Sequence, residues 1–245
     1  MTEKVLYKKL AKYYDKIYSW KDYEKEVEFI ERVIKKFKKK NPKIFDVACG
    51  TGNHSLLLKN KGYSVLGADI SPVMLKIARK KVKGMKFVKV DMQKLDLKEK
   101  FDVIICMFSS INYNTNYEDL RETLKGFHNH LKNGGILIFD LGFSPYKKEL
   151  SRRIDTVEEK NLLIARFSQV DKIKDNEVEA KFIIFKKEEG KMDFWIDKHK
   201  LGTFRINKVK NLMKKIGFKT RIYNEFSFRE HYKKSNKPVF VGVKK

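Results

Sequence analysis

One stretch, residues 43 to 69, constrains the fold more than any other part of the chain. It reads KIFDVACGTGNHSLLLKNKGYSVLGAD: an apolar run, Ile44 to Ala48, enters a glycine turn, a helix-favouring segment follows, and a second apolar run ends at Asp69. Gly50 allows the backbone to turn sharply, and Gly52 allows a ligand to approach bare main chain. A strand, a glycine turn, a helix and a second strand in this order predict a doubly wound parallel sheet.

The acid that ends the second apolar run predicts what the sheet binds. Asp69 follows Gly52 by the length of one helix and one strand, and a carboxylate at a strand tip can accept hydrogen bonds from both hydroxyls of a ribose. The stretch therefore predicts a cofactor that carries a nucleoside, bound across the strand tips. The dinucleotide fingerprint requires a third glycine where this chain has Ser55, so NAD is the less favoured cofactor.

Further blocks follow in a fixed order: DVACGTG at 46–52, GADIS at 67–71 with Met74 after it, VDMQ at 90–93, FDVIICMFSSINY at 101–113 and LKNGGILIFD at 131–140. Together they resemble the signature of class I S-adenosylmethionine (SAM) methyltransferases. The segment YDKIY at 14–18, the MFSS block and the closing PVFVGV at 238–243 are most similar to the nucleotide-sugar amine N,N-dimethyltransferases and to glycine/sarcosine methyltransferase-like enzymes. The resemblance implies SAM as cofactor and methyl transfer as the reaction.

The resemblance also implies roles for the residues that match its blocks. Asp46 would help to fix the ammonium end of SAM, Asp69 would hold the ribose, and Asp91 would meet the edge of the adenine. The full set expected to bind SAM is Tyr18, Asp46, Ala48, Gly50, Gly52, Asp69, Ile70, Met74, Asp91, Met92 and Met107. We expect no metal ion in this site.

Aromatic side chains are frequent near the amino terminus, where residues 1–22 would form a lid over the cofactor in the families that the chain resembles. Tyr14 or Tyr18 would then face the methyl-donating sulfur, whereas packing of an amphipathic helix is the plainer alternative. We expect Tyr14 and Tyr113 to be catalytic, because an aromatic ring stabilises a sulfonium through cation–π contact and a phenol can orient an amine lone pair. An in-line displacement depends mainly on positioning, so little acid–base machinery is needed.

The α/β pattern breaks between residues 142 and 205. Runs of alternating apolar and polar residues, separated by turn residues, predict an antiparallel meander there. These runs are Leu162 to Val170, Val178 to Lys186 and Lys191 to His199. The meander is expected on the substrate side, with formation of a homodimer as a second use.

The predicted fold class is therefore α/β, a Rossmann-like doubly wound sheet of seven mostly parallel strands with an inserted small antiparallel meander. Residues 1–141 and 206–245 would form the SAM-binding domain, and residues 142–205 the inserted accessory sheet. The last two strands, Phe218 to Phe226 and Pro238 to Val243, would close the large sheet as a hairpin pair.

The charge of the chain bears on its partners. Its 56 Lys and Arg against 31 Asp and Glu give a net charge of +25, which invites a nucleic-acid partner. Most of these residues are lysines scattered over every helix, which favours a solvated, thermophile-like surface instead. Residues 108–113 lack the prolines of enzymes that methylate a flipped base. No apolar stretch reaches the roughly 18 residues of a membrane span, so we expect a cytoplasmic protein.

Three functions remain open on the sequence. The favoured one is transfer of a methyl group to a small-molecule acceptor, with an amine nitrogen as the expected nucleophile. The second is an RNA or protein methyltransferase that uses the basic surface. The third is a SAM-binding module that regulates a partner without catalysis.

Overall fold

The computed structural model describes residues 4–142, 152–229 and 237–245, which form two sheets and the helices that cover them. The strands of the large sheet are β1 (Lys43–Val47), β2 (Ser64–Asp69), β3 (Lys86–Lys89), β4 (Phe101–Cys106) and β5 (Leu131–Asp140), and those of the small sheet are β6 (Arg152–Glu159), β7 (Leu162–Lys174), β8 (Glu177–Glu188) and β9 (Lys191–Gly202). Two strands, β10 (Phe218–Asn224) and β11 (Pro238–Lys244), complete the large sheet. The helices are α1 (Tyr14–Ile17), α2 (Tyr23–Lys36), α3 (Asn53–Asn60), α4 (Pro72–Lys81), α5 (Tyr117–His130) and α6 (Ile206–Ile216).

The large sheet has the order β10-β11-β5-β4-β1-β2-β3. β11 is antiparallel to both of its neighbours, and the other strands run parallel to one another. Strand order reverses between β1 and β4, and ligands of open α/β sheets bind beside this reversal, at the carboxyl ends of the strands. The predicted doubly wound, mostly parallel sheet of seven strands is confirmed.

Helices cover both faces of the sheet, which explains why its central strands are continuously apolar. On one face, Val27 and Ile30 of α2 pack with Ile44 of β1. On the other face, Phe45 stacks on Phe101 with the ring centroids 4.6 Å apart. Truncating one of these buried phenylalanines to alanine would cost about 3–5 kcal/mol of folding free energy.

Several element boundaries differ from the sequence prediction. Apolar residues at helical spacing predict a helix from Tyr23 to Lys40, but α2 ends at Lys36 because Lys38 adopts a positive φ of 51°, which a helix does not accept. The sequence predicts the fifth strand from Ile136 to Leu141, whereas β5 begins at Leu131. Ser71 before Pro72 predicts a helix cap, and the Ser71 side chain does accept a hydrogen bond from the Met74 amide at the start of α4.

The small sheet is a four-stranded antiparallel meander in the order β6-β7-β8-β9. It has one strand more than the three predicted, because the charged residues of β6 conceal its alternation. Its inner face packs against the amino-terminal segment, where Leu6 and Ile17 join Ile164 and Ile184 in one buried cluster. The meander thus shares a core with residues 5–18 instead of forming one alone.

Asn112 joins the meander to the large sheet. Its side chain is fully buried; Nδ2 donates to the carbonyl of Gly202 at 2.7 Å, and Oδ1 accepts from the amide of Gly142 at 3.2 Å. Gly142 and Gly202 lie near the two ends of the inserted segment. One side chain at the tip of β4 therefore fixes both of these ends relative to the strand tips.

None of the helices in the described part of the chain combines the length and the apolar character needed to cross a bilayer.

Candidate active site

The glycine turn joins β1 to α3 at the carboxyl edge of the sheet. Gly50 and Gly52 have φ angles of 56° and 82°, in the left-handed region that favours glycine. A Cβ on Gly52 would lie 3.3 Å from the Cβ of Ala78 and 3.5 Å from the Phe87 ring. The position that a side chain of Gly52 would occupy therefore lies against α4 and β3. Besides its expected role beside a ligand, Gly52 allows these two elements to pack closely on the turn.

Asp69 ends β2 and binds the glycine turn directly. Its Oδ2 accepts from the amide of Gly50 at 2.9 Å, and its Oδ1 accepts from the amide of Ser71 at 2.8 Å. Burial raises the pKa of this carboxyl, and the backbone hydrogen bonds oppose the rise. Each carboxylate oxygen can accept more than one hydrogen bond, so the group is held in place while it can still bind hydroxyls.

Asp46 lies beneath the turn and is 1% exposed. Its Oδ2 accepts from the hydroxyl of Ser55 at 2.6 Å. Burial raises the pKa of Asp46 to about 6, and the opposing effects of His54 and Ser55 are smaller. This carboxyl is therefore poorly stabilised as an anion and would gain from a cation placed beside it.

The next strand tip carries Asp91, whose side chain accepts from the amide of Gln93 at 3.0 Å. Met92, beside it, is half-buried. Ile70 follows Asp69 and is 60% exposed, although it is a large apolar side chain next to a polar strand tip. An apolar side chain in this place offers a flat ligand a surface to cover.

Backbone strain concentrates at the same edge. Ala48 after β1, and Phe108 and Ser109 after β4, have φ angles of 56°, 58° and 58°. Non-glycine residues in this region cost of order 1–3 kcal/mol each and cluster at ligand sites. The two strands on either side of the reversal in strand order thus both end in strained backbone.

The amino-terminal segment lies over the glycine turn. Asp15 accepts from the hydroxyl of Thr51 at 2.6 Å and from the side-chain amide of Asn53 at 3.0 Å, and Lys81 pairs with it at 2.6 Å. Nearby, the hydroxyl of Ser71 donates to the carbonyl of Tyr7 at 3.1 Å. These contacts hold the segment against the edge of the sheet.

The tyrosines singled out in the sequence lie in one aromatic cluster, together with Tyr7. Ring centroids are 4.6 Å apart for Tyr14 and Tyr18, 6.1 Å for Tyr7 and Tyr14, and 6.3 Å for Tyr7 and Tyr113. Burial raises the pKa of all four phenols. They therefore stay protonated near neutral pH and act as neutral hydrogen-bonding groups.

Tyr113 connects this cluster to the meander. Its hydroxyl lies 2.7 Å from that of Tyr7 and 2.6 Å from Nδ1 of His199. Nε2 of His199 is 3.1 Å from Oδ2 of Asp197, although the angle does not suit a hydrogen bond. Oδ2 of Asp197 also accepts from the amide of Leu6 at 2.8 Å. A chain of polar groups thus runs from the strand tip into the meander.

A cation lies on the face of the Tyr113 ring. The ammonium of Lys4 is 4.0 Å from the ring centroid. Burial lowers the pKa of Lys4, while Asp197 and Asp69 oppose this. The space between these two carboxylates and the phenol therefore suits a positively charged group.

Two methionines expected at the cofactor are buried. Met74 is 2% exposed and packs with Tyr14 and Tyr18. Met107 is 3% exposed and lies in the core beneath α2. The side chain of Met107 supports the strand tip from within, and its backbone carbonyl accepts from the hydroxyl of Ser110.

Four polar residues of the meander were not predicted from the sequence, namely Asp155, Arg166, Asp197 and His199. A signal for them existed, because the alternation of β9 puts Trp195, Asp197 and His199 on the face opposite Phe194 and Ile196. The pairing of β7 with β6, which sets Arg166 against Asp155, could not be read because β6 was not predicted.

Comparisons with known proteins agree with a methyltransferase fold. A family model described as a methyltransferase domain matches residues 44–135, the segment from β1 to β5. The Bacillus subtilis protein YqeM, whose name gives methyltransferase as a provisional activity, is 28% identical over 98% of both chains. A dTDP-3-amino-3,6-dideoxy-alpha-D-glucopyranose N,N-dimethyltransferase of Streptomyces fradiae is 30% identical over 56% of this chain and 54% of its own.

Similarity to solved structures extends over nearly the whole chain. The crystal structure of a SAM-dependent methyltransferase from Clostridium acetobutylicum is 25% identical, covers 97% of this chain and 98% of that one, and superposes with a TM-score of 0.83. Glycine/sarcosine N-methyltransferases match over shorter stretches, as the sequence motifs predicted. The cofactor is SAM, and the matched domain, the relatives and the fold support a class I SAM-dependent methyltransferase.

Proposed function

We propose that this methyltransferase acts on an amine nitrogen of a small molecule, and that the amine binds beside the hydroxyl of Tyr113. The observation that carries the proposal is the polar chain from Tyr113 through His199 to Asp197, which begins beside the cofactor edge of the sheet. Such a chain provides a path for proton transfer away from the amine. The similarity to sugar N,N-dimethyltransferases supports the same nucleophile.

Residues at the strand tips have the chemistry that SAM requires. Asp69 can accept from the ribose hydroxyls, and Asp91 from the adenine amine, with exposed Ile70 against the base. Asp46, with its raised pKa, would be stabilised by the ammonium of the methionine part. When bound, SAM supplies an electrophilic methyl group whose leaving group is a neutral thioether.

The chain's own residues would position the amine and remove its proton. Most alkyl amines are protonated at pH 7 and cannot attack until they lose a proton. The oxygen of Tyr113 can accept the amine proton while its own proton passes to Nδ1 of His199, 2.6 Å away. Asp197 then stabilises the imidazolium from 3.1 Å. Because burial raises the pKa of Tyr113, its hydroxyl is protonated before the reaction. Tyr113 therefore passes a proton on and does not act as a phenolate base.

Tritium-labelled SAM tests the acceptor class. The protein is incubated with the small-molecule, RNA and protein fractions of an extract of the cells that produce it. Label in the small-molecule fraction supports the proposal if, in a parallel reaction with ¹³C-methyl SAM, the methyl group of the product gives an NMR signal that moves as an attached amine titrates. Label in RNA or protein would favour the basic surface as the acceptor site, and label in no fraction would favour a regulatory module.

The outer face of the meander supports a homodimer. Ile154, Phe185, Met192, Phe194 and Ile196 are each 49% to 72% exposed, and the strand register places them on one face. Exposed apolar patches of this kind mark interaction surfaces. A two-fold axis would place the same patch on both subunits, which is the commonest arrangement of soluble oligomers.

Light scattering coupled to size exclusion tests the dimer. We expect a mass near twice the 29.1 kDa of the chain, and a monomer in Phe194→Lys. Trp20→Lys, another exposed aromatic residue, serves as the control and should remain dimeric. A monomeric parent protein at micromolar concentration contradicts the proposal.

A further inference from the structure

Buried polar atoms without a hydrogen-bond partner concentrate on the inner face of the meander. Among the described residues, six buried side-chain atoms lack a partner, and four of them are Nη1 of Arg166, Oγ of Ser168, Oδ1 of Asp197 and Nε2 of His199. An unpartnered buried polar atom costs about 1–3 kcal/mol. Nε2 of His199 already lies 3.1 Å from Oδ2 of Asp197, and the other three atoms point to a ligand that supplies the missing partners.

The strand register brings these four residues together. Ser168, Phe182 and Asp197 are direct cross-strand neighbours on β7, β8 and β9. The Phe182 ring is 5.2 Å from Cζ of Arg166 on one side and 5.2 Å from the His199 ring on the other. The four polar groups therefore surround one aromatic ring, with Arg166 and His199 at opposite sides of it.

Charge differs between the two sides of that ring. On one side, Asp155 pairs with both Arg166, at 2.5 Å, and Arg153, at 2.6 Å, so two guanidinium groups share one carboxylate and leave an excess of one positive charge. Arg166 is itself 2% exposed. On the other side lies Asp197, which is 1% exposed and whose Oδ1 has no hydrogen-bond partner. The charge of Asp197 raises the pKa of the Lys4 ammonium and so opposes the effect of burial.

Each side is complementary to a different group on a ligand. Nη1 of Arg166 and Oγ of Ser168 are donors that suit an oxyanion, and a guanidinium is the usual partner for carboxylate or phosphate. Oδ1 of Asp197, with Tyr113 and His199 nearby, suits an amine. Arg153 is partly exposed and solvated, so the group that an oxyanion would meet on this side is the buried Arg166 with its unpartnered Nη1.

We infer that the methyl acceptor is an amine that also carries an oxyanion, which binds Arg166 and Ser168 on the meander while the amine lies toward Asp197 and His199. This inference rests on the proposed function. It adds two things to that function. The first is a binding subsite formed by β7, and the second is a class of substrate, an amine that also carries a negative charge. Methylation of an amine alone requires neither. The oxyanion of the acceptor is a carboxylate or a phosphate ester, since both bind a guanidinium and a hydroxyl in the same way.

The unmodified protein gives the first test. The protein transfers tritiated methyl groups from SAM to the small-molecule fraction, which is then applied to an anion exchanger at about pH 11, where most alkyl amines are uncharged. We expect the label to be retained. Phosphatase treatment releases it if the oxyanion is a phosphate ester and leaves it bound if the group is a carboxylate.

The outcomes separate this inference from the proposed function. Label that passes through the exchanger unretained overturns the oxyanion subsite and leaves amine methylation intact. Absence of label from the small-molecule fraction overturns both. Retained label whose ¹³C-methyl signal does not move with the titration of an attached amine contradicts the amine chemistry.

Variants on β7 give the second test, with the retained fraction as substrate. Ser168→Ala removes a hydroxyl that has no partner in the protein, so it should fold normally and raise KM for the acceptor about 3- to 10-fold. Arg166→Lys keeps the charge but loses the fork of donors, and we expect a rise of at least about 10-fold. Arg152→Gln, on the opposite face of the same sheet, is the matched control.

SAM affinity distinguishes a subsite from general damage. In Ser168→Ala, the Kd for SAM should stay within about twofold of the parent, and kcat should change less than KM. Arg166→Lys is judged by the acceptor KM alone, because the Arg166 guanidinium lies 4.3 Å from the Tyr18 ring centroid. An unchanged KM in both variants overturns the assignment of the subsite. Loss of SAM affinity in step with KM in Ser168→Ala would do the same, because it would mean that the meander acts only through the fold.

Discussion

The two sides of the site differ in how their polar atoms are occupied. At the strand tips, backbone amides already bind the key carboxylates: Gly50 and Ser71 donate to Asp69, and Gln93 donates to Asp91. On the meander, Arg166 and Ser168 keep buried atoms without partners. The named carboxylates at the strand tips are held by backbone amides before any ligand arrives, whereas the named atoms on the meander have no such partners.

This difference separates cofactor recognition from acceptor recognition. Backbone hydrogen bonds depend on the fold and little on the side chains around them, so the strand tips can bind the same cofactor in enzymes with different substrates. Side chains on a meander can be exchanged without disturbing the large sheet. We therefore expect variants at the tips to change SAM binding, and variants in the meander and its contacts to change turnover or acceptor affinity.

The largest effect is expected from Asp69→Ala. It removes the charged acceptor for two ribose hydroxyls, each bond worth about 1.5–3 kcal/mol, so the Kd for SAM should rise at least about 100-fold in isothermal titration. Asp102→Ala is the matched control, because Asp102 also accepts a backbone amide, that of Lys43 at 2.9 Å, at the opposite end of the sheet. Unimpaired affinity in Asp69→Ala would remove the basis for the strand-tip site.

Tyr113→Phe should affect catalysis and spare the cofactor. Without the phenol, the amine proton loses its path to His199, and general acid–base groups typically contribute 10²–10⁴-fold. Since water can take part of this role, we expect kcat to fall about 10- to 100-fold while the Kd for SAM stays within about twofold. Tyr63→Phe, which alters a phenol bonded to Glu31, controls for loss of a hydroxyl. A Tyr113→Phe enzyme with parental kcat would contradict the relay.

The pH dependence of SAM affinity tests Asp46. Its pKa in the folded protein is raised to about 6, and the ammonium of SAM would favour the ionised carboxyl, so binding should strengthen as pH rises through 6. At pH 5 about one tenth of the carboxyl is ionised, and the Kd should be about tenfold higher than at pH 7.5. Asp46→Asn should flatten most of this slope; the remainder belongs to Asp69, whose pKa is also raised. A parent affinity that is constant between pH 5 and 7.5 would contradict the role of Asp46.

The smallest effect is expected from Asp15→Ala. This change removes the contacts with Thr51, Asn53 and Lys81 that hold the amino-terminal segment over the turn. Because the carboxyl is partly exposed, screening limits its worth, and we expect SAM to dissociate about 3- to 10-fold faster in stopped-flow fluorescence. Lys16→Met breaks only an exposed ion pair with Glu159 on the same segment and should leave the rate unchanged. Equal rates in both variants would mean that the segment does not cover the cofactor.

The strand-tip side could be predicted from the sequence because its signals are local. Glycine at a positive φ, Ser71 before Pro72 and an acid at the end of an apolar run each depend on a few neighbouring residues. The fold class followed from the same periodicity. The roles of the individual SAM-binding residues stay predictions, and the burial of Met107 shows that a matching motif position need not expose its side chain.

The acceptor side could not be predicted because its contacts are distant along the chain. Tyr113 and His199 are 86 residues apart, and Leu6 and Asp197 are 191 apart. Polar residues on one face of an alternating strand look the same in sequence whether they face solvent or a ligand. β6 was missed because its charged residues obscure the period of two, and with it the pairing of Asp155 and Arg166.

The most direct test of the account is a crystal structure of the protein with S-adenosylhomocysteine. We expect the ribose hydroxyls within hydrogen-bonding distance of Asp69, the adenine beside Asp91 and Ile70, and the sulfur directed at the hydroxyl of Tyr113. A ligand bound away from the strand tips, or a sulfur directed away from Tyr113, would contradict it.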